Sequence, residues 1–163
     1  MTLPRFDPVR ALRTLLEHRV EFVVIGGIAG RLLGSPTVTN DLDICYARND
    51  ENHVRMAAAL VALNARLRGV DEEVPFQLDA KTIANGDSFT FVTDAGSLDV
   101  LGTPSGTNGF DDLVRTATAV DLDGVSVNVC DIEDLLRMKR ASGRAKDLIE
   151  VEVLKAVQEE LGS

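Results

Sequence analysis

Two aspartates one residue apart, Asp41 and Asp43, lie in the run Asp-Leu-Asp-Ile-Cys-Tyr that ends at Tyr46. Side chains on a strand alternate faces, so the two carboxylates project to one side roughly 7 Å apart, with Leu42 and Ile44 turned the other way into a core. Carboxylates held that close repel and raise each other's pKa, a cost that a bound divalent cation removes. Oxygen-only ligands favour Mg²⁺ or Mn²⁺ over zinc. Upstream, Gly26-Gly27 closes the apolar run Phe22–Ile25 in a turn with no Cβ to block a ligand. The turn leads into a short helix whose first amide groups point outward, which suits an anion. A carboxylate pair facing an anion-binding turn is what a nucleoside triphosphate with its Mg²⁺ requires.

The elements that would position these groups can be read in order. Asp7-Pro8 starts a helix with Val9, Leu12, Leu15 and Leu16 at helical spacing up to about Arg19. Val20–Ile25 reads as a strand buried on both faces, Ile28–Leu33 as a short helix ended by Gly34-Ser35-Pro36, and Asp41–Tyr46 as the second strand. Asp50 is expected to cap a helix running through Val54, Ala57, Ala58, Val61 and Leu67 to Gly69. Val74–Leu78 fits a short strand and Ala80–Ala84 one helical turn. Ser88–Thr93 and Ser97–Leu101 read as a hairpin about Asp94-Ala95-Gly96. Gly102–Gly109 is rich in turn formers and is expected to be a mobile loop, with Asp111–Arg115 helical after it. Asp123-Gly124 joins the strands Ala117–Leu122 and Val125–Val129. Asp131 caps a helix broken at Gly143, and Ala145–Leu161 is the last helix. No repeat or linker divides the chain, so residues 1–163 are expected to form a single domain of α/β (α+β) class, a mixed central sheet with helices packed on it.

With 17 basic against 26 acidic residues the net charge is −9, which argues against broad nucleic-acid or membrane binding by a uniformly basic surface. The charge is uneven, because Arg137, Lys139, Arg140, Arg144 and Lys146 fall in one run without an acid. With no Trp and one Tyr, the chain lacks stacking platforms for single strands. Cys45 and Cys130 lie in apolar runs, so reduced, buried thiols in a cytoplasmic protein are expected. Cys45 shares strand parity with the aspartates and could instead floor their pocket. His18 and His53 lack metal-ligand spacing and are expected at the surface. No run is long enough to span a membrane, and no signal-peptide pattern opens the chain.

The order Gly26, Gly27, Thr39, Asp41, Asp43, Ile44, with the later Gly143, Arg144, Lys146, Asp147 and Leu148, resembles the nucleotidyltransferase superfamily of the DNA polymerase beta type. Within it the likeness is nearest to the small bacterial and archaeal branch related to the AbiEii-type abortive-infection toxins. That branch usually carries His and Arg where Leu33 and Thr37 stand here. The resemblance covers nearly the whole chain and implies the nucleotidyltransferase fold. It also implies transfer of an NMP from a nucleoside triphosphate to an acceptor hydroxyl with release of pyrophosphate. Asp41 and Asp43 would hold Mg²⁺ or Mn²⁺, and Asp99, an acid placed within the strand Ser97–Leu101, would complete the metal set and accept the proton.

Gly26 and Gly27 would cradle the phosphates, Ser35 or Thr39 would donate hydroxyls, and Lys139, Arg144 and Lys146 would supply cationic charge. Ser35 and Thr39 have a plainer reading as turn and strand-start residues, and the cations as a solvated helix end. Asp147 could orient Lys139 or Lys146, or act as a favourable first-turn acid. The acceptor stays open between an RNA 3′ end such as that of tRNA, a small hydroxylated molecule and a protein side chain. The toxin-like branch implies an antitoxin or another partner protein, and the short chain leaves room for a partner or a second copy to complete the site. The competing reading is a non-catalytic nucleotide or metal sensor with the same fold.

Overall fold

The computed structural model describes residues 5–69 and 76–162. Helix α1 (Pro8–Glu17) begins where the Asp7 carboxylate accepts the Arg10 amide, with Pro8 in the first turn, where its missing N–H costs nothing. Strand β1 (Phe22–Ile25) is buried at all four positions and runs directly into α2 (Gly26–Leu32). There follow β2 (Asp41–Tyr46), α3 (Asp50–Ala62), the two-residue β3 (Arg66–Leu67), α4 (Ala80–Asn85), β4 (Ser88–Thr93) and β5 (Gly96–Leu101). The chain then forms α5 (Phe110–Val114), β6 (Thr118–Leu122), β7 (Val125–Val129), α6 (Ile132–Ser142) and α7 (Ala145–Leu161).

The strands make one sheet in the order β3-β4-β5-β2-β1-β7-β6. It is mixed: β2 pairs with β5, and β1 with β7, in parallel, while the remaining neighbours are antiparallel. Leu42, Ile44, Leu98, Val100 and Phe91 are buried in a core shared with Leu12 and Leu15 of α1 and with Met56 and Leu60 of α3. Helix α6 packs against α7 and α2. Among the described residues no helix is long and apolar enough to cross a membrane.

Several sequence-based boundaries move. The helix expected from Asp50 to Gly69 stops at Ala62, because Asn64 adopts a left-handed φ of 52° and its amide turns back to the Val61 carbonyl. Arg66–Leu67, which continued the apolar spacing, instead pairs with Val92 and Phe91 as an edge strand. The cap of α3 is Asn49 rather than Asp50, its side chain accepting from the Asn52 amide. Helix α2 begins at Gly26 itself, two residues earlier than the spacing predicts. The strand expected over Val74–Leu78 lies partly outside the described residues, and Phe76–Leu78 within them is not strand.

The segment 102–109, expected as a mobile loop, is tied down at both ends. The Gly102 amide donates to the Asp87 carbonyl at 2.6 Å, Thr103 donates twice to the Asp87 carboxylate, and the Asn108 amide donates to Asp112. His53 is buried at 7% exposure with its ring edge-on to Tyr46, not at the surface.

Candidate functional site

Parallel pairing of β2 with β5 sets Asp41 opposite Ser97 and Asp43 opposite Asp99. The Asp43 and Asp99 side chains therefore leave the same face from neighbouring strands, about 4.8 Å apart at the backbone, with Asp41 two residues along. Gly26 enters this face from the end of β1. Its φ is +68°, and a Cβ there would stand 2.1 Å from Oδ2 of Asp43, so both backbone conformation and space require glycine. Gly27 packs against Thr39, whose Oγ1 would lie 2.8 Å from an added Cβ. Thr39 in turn bonds with both the amide and carbonyl of Asp41.

Burial is the largest cause that lifts the Asp43 carboxyl to about 7, followed by the charge of Asp99, a hydrogen bond to it and the charge of Asp41, against a smaller opposing pull from Lys139. The donors are all carboxylate oxygens, with no thiol or imidazole among them, and their mutual repulsion is what a hard divalent cation relieves. In donor chemistry they fit Mg²⁺ or Mn²⁺. Their present spacing does not close on one ion: among the described residues no three acidic, His or Cys side chains stand grouped to hold a metal. Between the carboxylates lies Arg68, its guanidinium 3.5 Å from Asp41 Oδ1 and 3.0 Å from Asp99 Oδ1.

The basic part of the lining comes from the end of α6 and the start of α7. Gly143, at φ +67°, turns the chain between them, and Asp147, 3% exposed, lies beneath the turn. Its carboxylate accepts from Arg144 Nε at 2.7 Å, Arg144 Nη2 at 3.2 Å and the Arg144 amide at 3.3 Å, and Lys139 Nζ stands 3.9 Å away. Burial pushes the Asp147 carboxyl up. The hydrogen bonds from Arg144 and Ser142 and the charges of Arg144 and Lys139 outweigh it and hold the group below the usual range. A buried acid thus fixes two cations that line, with the three aspartates, a cavity of about 550 Å³.

Of the residues singled out in the sequence, Gly26, Asp41, Asp43, Asp99, Lys139, Arg144 and Lys146 line this cavity. Gly27, Ser35 and Thr39 do not. Ser35 is buried and donates to Glu150 Oε1 at 2.8 Å, while the Thr37 hydroxyl donates to Oε2 at 2.7 Å, so α7 holds the segment before β2. Cys45 is buried, its Sγ 3.6 Å from the Gly102 carbonyl, and forms no part of the cavity lining. Arg68, Ser105 and Ser142 line the cavity and were not singled out. For Arg68 the one available signal is the alternation Arg66-Leu67-Arg68, legible only once this stretch is read as strand.

No family model matches the chain, and no curated protein matches it. Solved structures do. The lincosamide antibiotic adenylyltransferase LnuA, in its lincomycin-bound form, superposes with a TM-score of 0.61 at 14% identity, over 96% of this chain and 99% of that one. The antibiotic-resistance factor ANT(2″)-Ia gives 0.56 at 14% identity over 94% and 84% of the two chains. Its complex with adenylyl-2″-tobramycin gives 0.53 at 16% identity over 94% and 87%. At these identities the likeness is one of fold, and the fold is that of the nucleotidyltransferases.

Proposed function

We propose that this chain is a metal-dependent nucleotidyltransferase that moves the nucleotidyl group of a nucleoside triphosphate to an acceptor hydroxyl and releases pyrophosphate. The observation that carries this reading is one cavity lined both by Asp41, Asp43 and Asp99 from the sheet and by Lys139, Arg144 and Lys146 from α6 and the start of α7. Such polarity suits a triphosphate whose metal faces the carboxylates. Mg²⁺ or Mn²⁺ held by the three aspartates would offset charge on the reacting phosphate. Asp99 would accept the acceptor's proton, Gly26 would let the chain approach the phosphates without a Cβ, and the cations fixed by Asp147 would bind the departing pyrophosphate. Positioning and fixed charge account for most of such chemistry.

Adenosine triphosphate is the expected donor, because adenylyltransferases share the fold. A small hydroxylated acceptor is the expected partner, for two reasons. A charge of −9 repels a polyanion, and the basic run does not form an open track for a nucleic-acid backbone. Arg137 is engaged with Asp112 and Asp134, while Lys139, Arg144 and Lys146 face the cavity. An RNA 3′ end and an antitoxin partner, both implied by the toxin-like sequence resemblance, find no comparable support. The second reading, a non-catalytic nucleotide sensor, is favoured by Thr37, which gives its hydroxyl to Glu150 where the resembling branch carries a cation.

A thermal-shift panel of the four ribonucleoside triphosphates with Mg²⁺, Mn²⁺ or EDTA tests the site, using the wild type and Asp41→Asn. Ligand at about 100 times its Kd stabilises by roughly 2.7 kcal/mol, or about 5–10 °C for a chain of this size. The expected shift needs both metal and nucleotide, is largest for ATP and is lost in Asp41→Asn. Release of pyrophosphate in the presence of hydroxylated acceptors then separates an enzyme from a sensor, which returns the triphosphate intact.

A further inference from the structure

Arg68 is the charged residue of the cavity lining that the proposed chemistry leaves without a part. It follows β3 at the sheet edge, where its amide donates to the Thr90 carbonyl at 2.9 Å, and Thr90 pairs with Asp99 across the next strand boundary. Leu67, Phe91 and Leu98 take the core face along this line of residues, which leaves Arg68, Thr90 and Asp99 on the site face. The side chain reaches over β4 and ends between two carboxylates from different strands. Nη1 is 3.5 Å from Asp41 Oδ1 and Nη2 is 3.0 Å from Asp99 Oδ1. Among the described residues no other cation is paired with either carboxylate. One guanidinium fork thus spans two carboxylates of a metal-type donor set that, among the described residues, has no metal-type grouping.

We propose that the Arg68 guanidinium is a resident stand-in for the divalent cation, holding Asp41 and Asp99 in the metal-free protein, and that Mg²⁺ or Mn²⁺ loads by displacing it. The proposal rests on the reading of the three aspartates as metal ligands. The guanidinium and the ion compete for the same carboxylates, and a dication bound there would stand against a positive charge within contact distance. The side chain is 37% exposed and sits at the cavity rim, so it has space to swing aside. Once released it adds a fourth positive charge to the cavity lined by Lys139, Arg144 and Lys146. Nucleotide and metal would thus help each other, the triphosphate drawing away the group that obstructs the ion.

Mn²⁺ binding, followed by calorimetry and by the free-ion electron paramagnetic signal, is to be compared in the wild type, Arg68→Gln, Arg68→Lys and Asp43→Asn, without nucleotide. Arg68→Gln is expected to bind Mn²⁺ about tenfold more tightly than the wild type, with Arg68→Lys between them. In the wild type, the Arg68 Nε resonance is expected to move during a Mg²⁺ titration in step with occupancy. That readout does not depend on any variant folding.

Equal or weaker Mn²⁺ affinity in a folded Arg68→Gln protein overturns the proposal, as does an Arg68 resonance that stays in place while Mg²⁺ binds. If wild type and Arg68→Gln bind equally and Asp43→Asn does not, the metal site stands and only the role of Arg68 falls. If none of the proteins binds Mn²⁺, the reading of the site falls with it.

Discussion

A methyl group at position 26 would collide with the Asp43 carboxylate on a backbone already at a left-handed φ. Gly26→Ala is therefore expected to cost on the order of 1–3 kcal/mol in urea unfolding and to abolish the metal-dependent nucleotide shift, because relief of the clash moves Asp43. Gly124→Ala, at φ +83° in the β6–β7 turn with nothing near its Cβ, separates the two effects. It should carry the backbone strain and leave ligand binding intact. At the same scale, burial pushes the Cys45 and Cys130 thiols up to about 12, and neither is in a disulfide. Both are expected to ignore an aromatic disulfide reagent at pH 8 in the folded protein and to react fully in guanidinium. Rapid labelling of either thiol in the native state would contradict the core placement.

The turn from α6 to α7 is the element that makes the basic wall. Gly143 ends one helix in a left-handed residue, and four positions later Asp147 takes hydrogen bonds from the Arg144 amide and guanidinium. Asp147→Asn keeps the shape and removes the charge that holds Arg144 and Lys139. It is expected to lower stability by about 1–3 kcal/mol and to weaken ATP binding severalfold, measured by urea titration and calorimetry. A loss of stability with unchanged ATP affinity would make the turn purely structural. One turn further along α7, Glu150 holds Ser35 and Thr37, so one helix braces both the basic wall and the approach to β2.

Across the whole molecule, the buried His53 and the half-buried Asp43 make stability depend on pH in opposite directions. Burial, and secondarily the charge of Arg48, hold the His53 ring below its ordinary value of 6.5, against a weaker pull from Asp50. The unfolded chain takes up a proton as pH falls through about 6.5 and the folded chain resists, so this group costs stability below that point, by at most about 1.4 kcal/mol per pH unit. Asp43 acts the other way: with its folded value near 7, the metal-free protein loses stability as pH rises from about 4 towards 7. His53→Phe retains an aromatic ring against Tyr46 and removes only the first effect. The wild type is expected to lose stability relative to this variant between pH 7 and pH 5.5, and parallel profiles would mean that His53 is charged in the fold.

What the sequence by itself determined is local. Alternation placed Asp41, Asp43 and Asp99 on strands, turn-forming residues marked the hairpins at Asp94-Ala95-Gly96 and Asp123-Gly124, and Gly143 marked the end of a helix. These features depend on neighbours a few residues away, which is where spacing carries information. The tertiary structure decided everything that depends on which strands meet. Only the parallel register of β2 with β5 sets Asp99 beside Asp43, and only the edge pairing of β3 brings Arg68 over them. Apolar spacing through Leu67 fitted a longer helix equally well, so Arg68 could not be assigned to the site face. Ser35 looked available as a hydroxyl donor until α7, distant in sequence, brought Glu150 to it. Likewise His53 looked like a surface residue until β2 placed Tyr46 against it. Contacts between distant segments arise from packing, and no spacing within a single strand or helix encodes them.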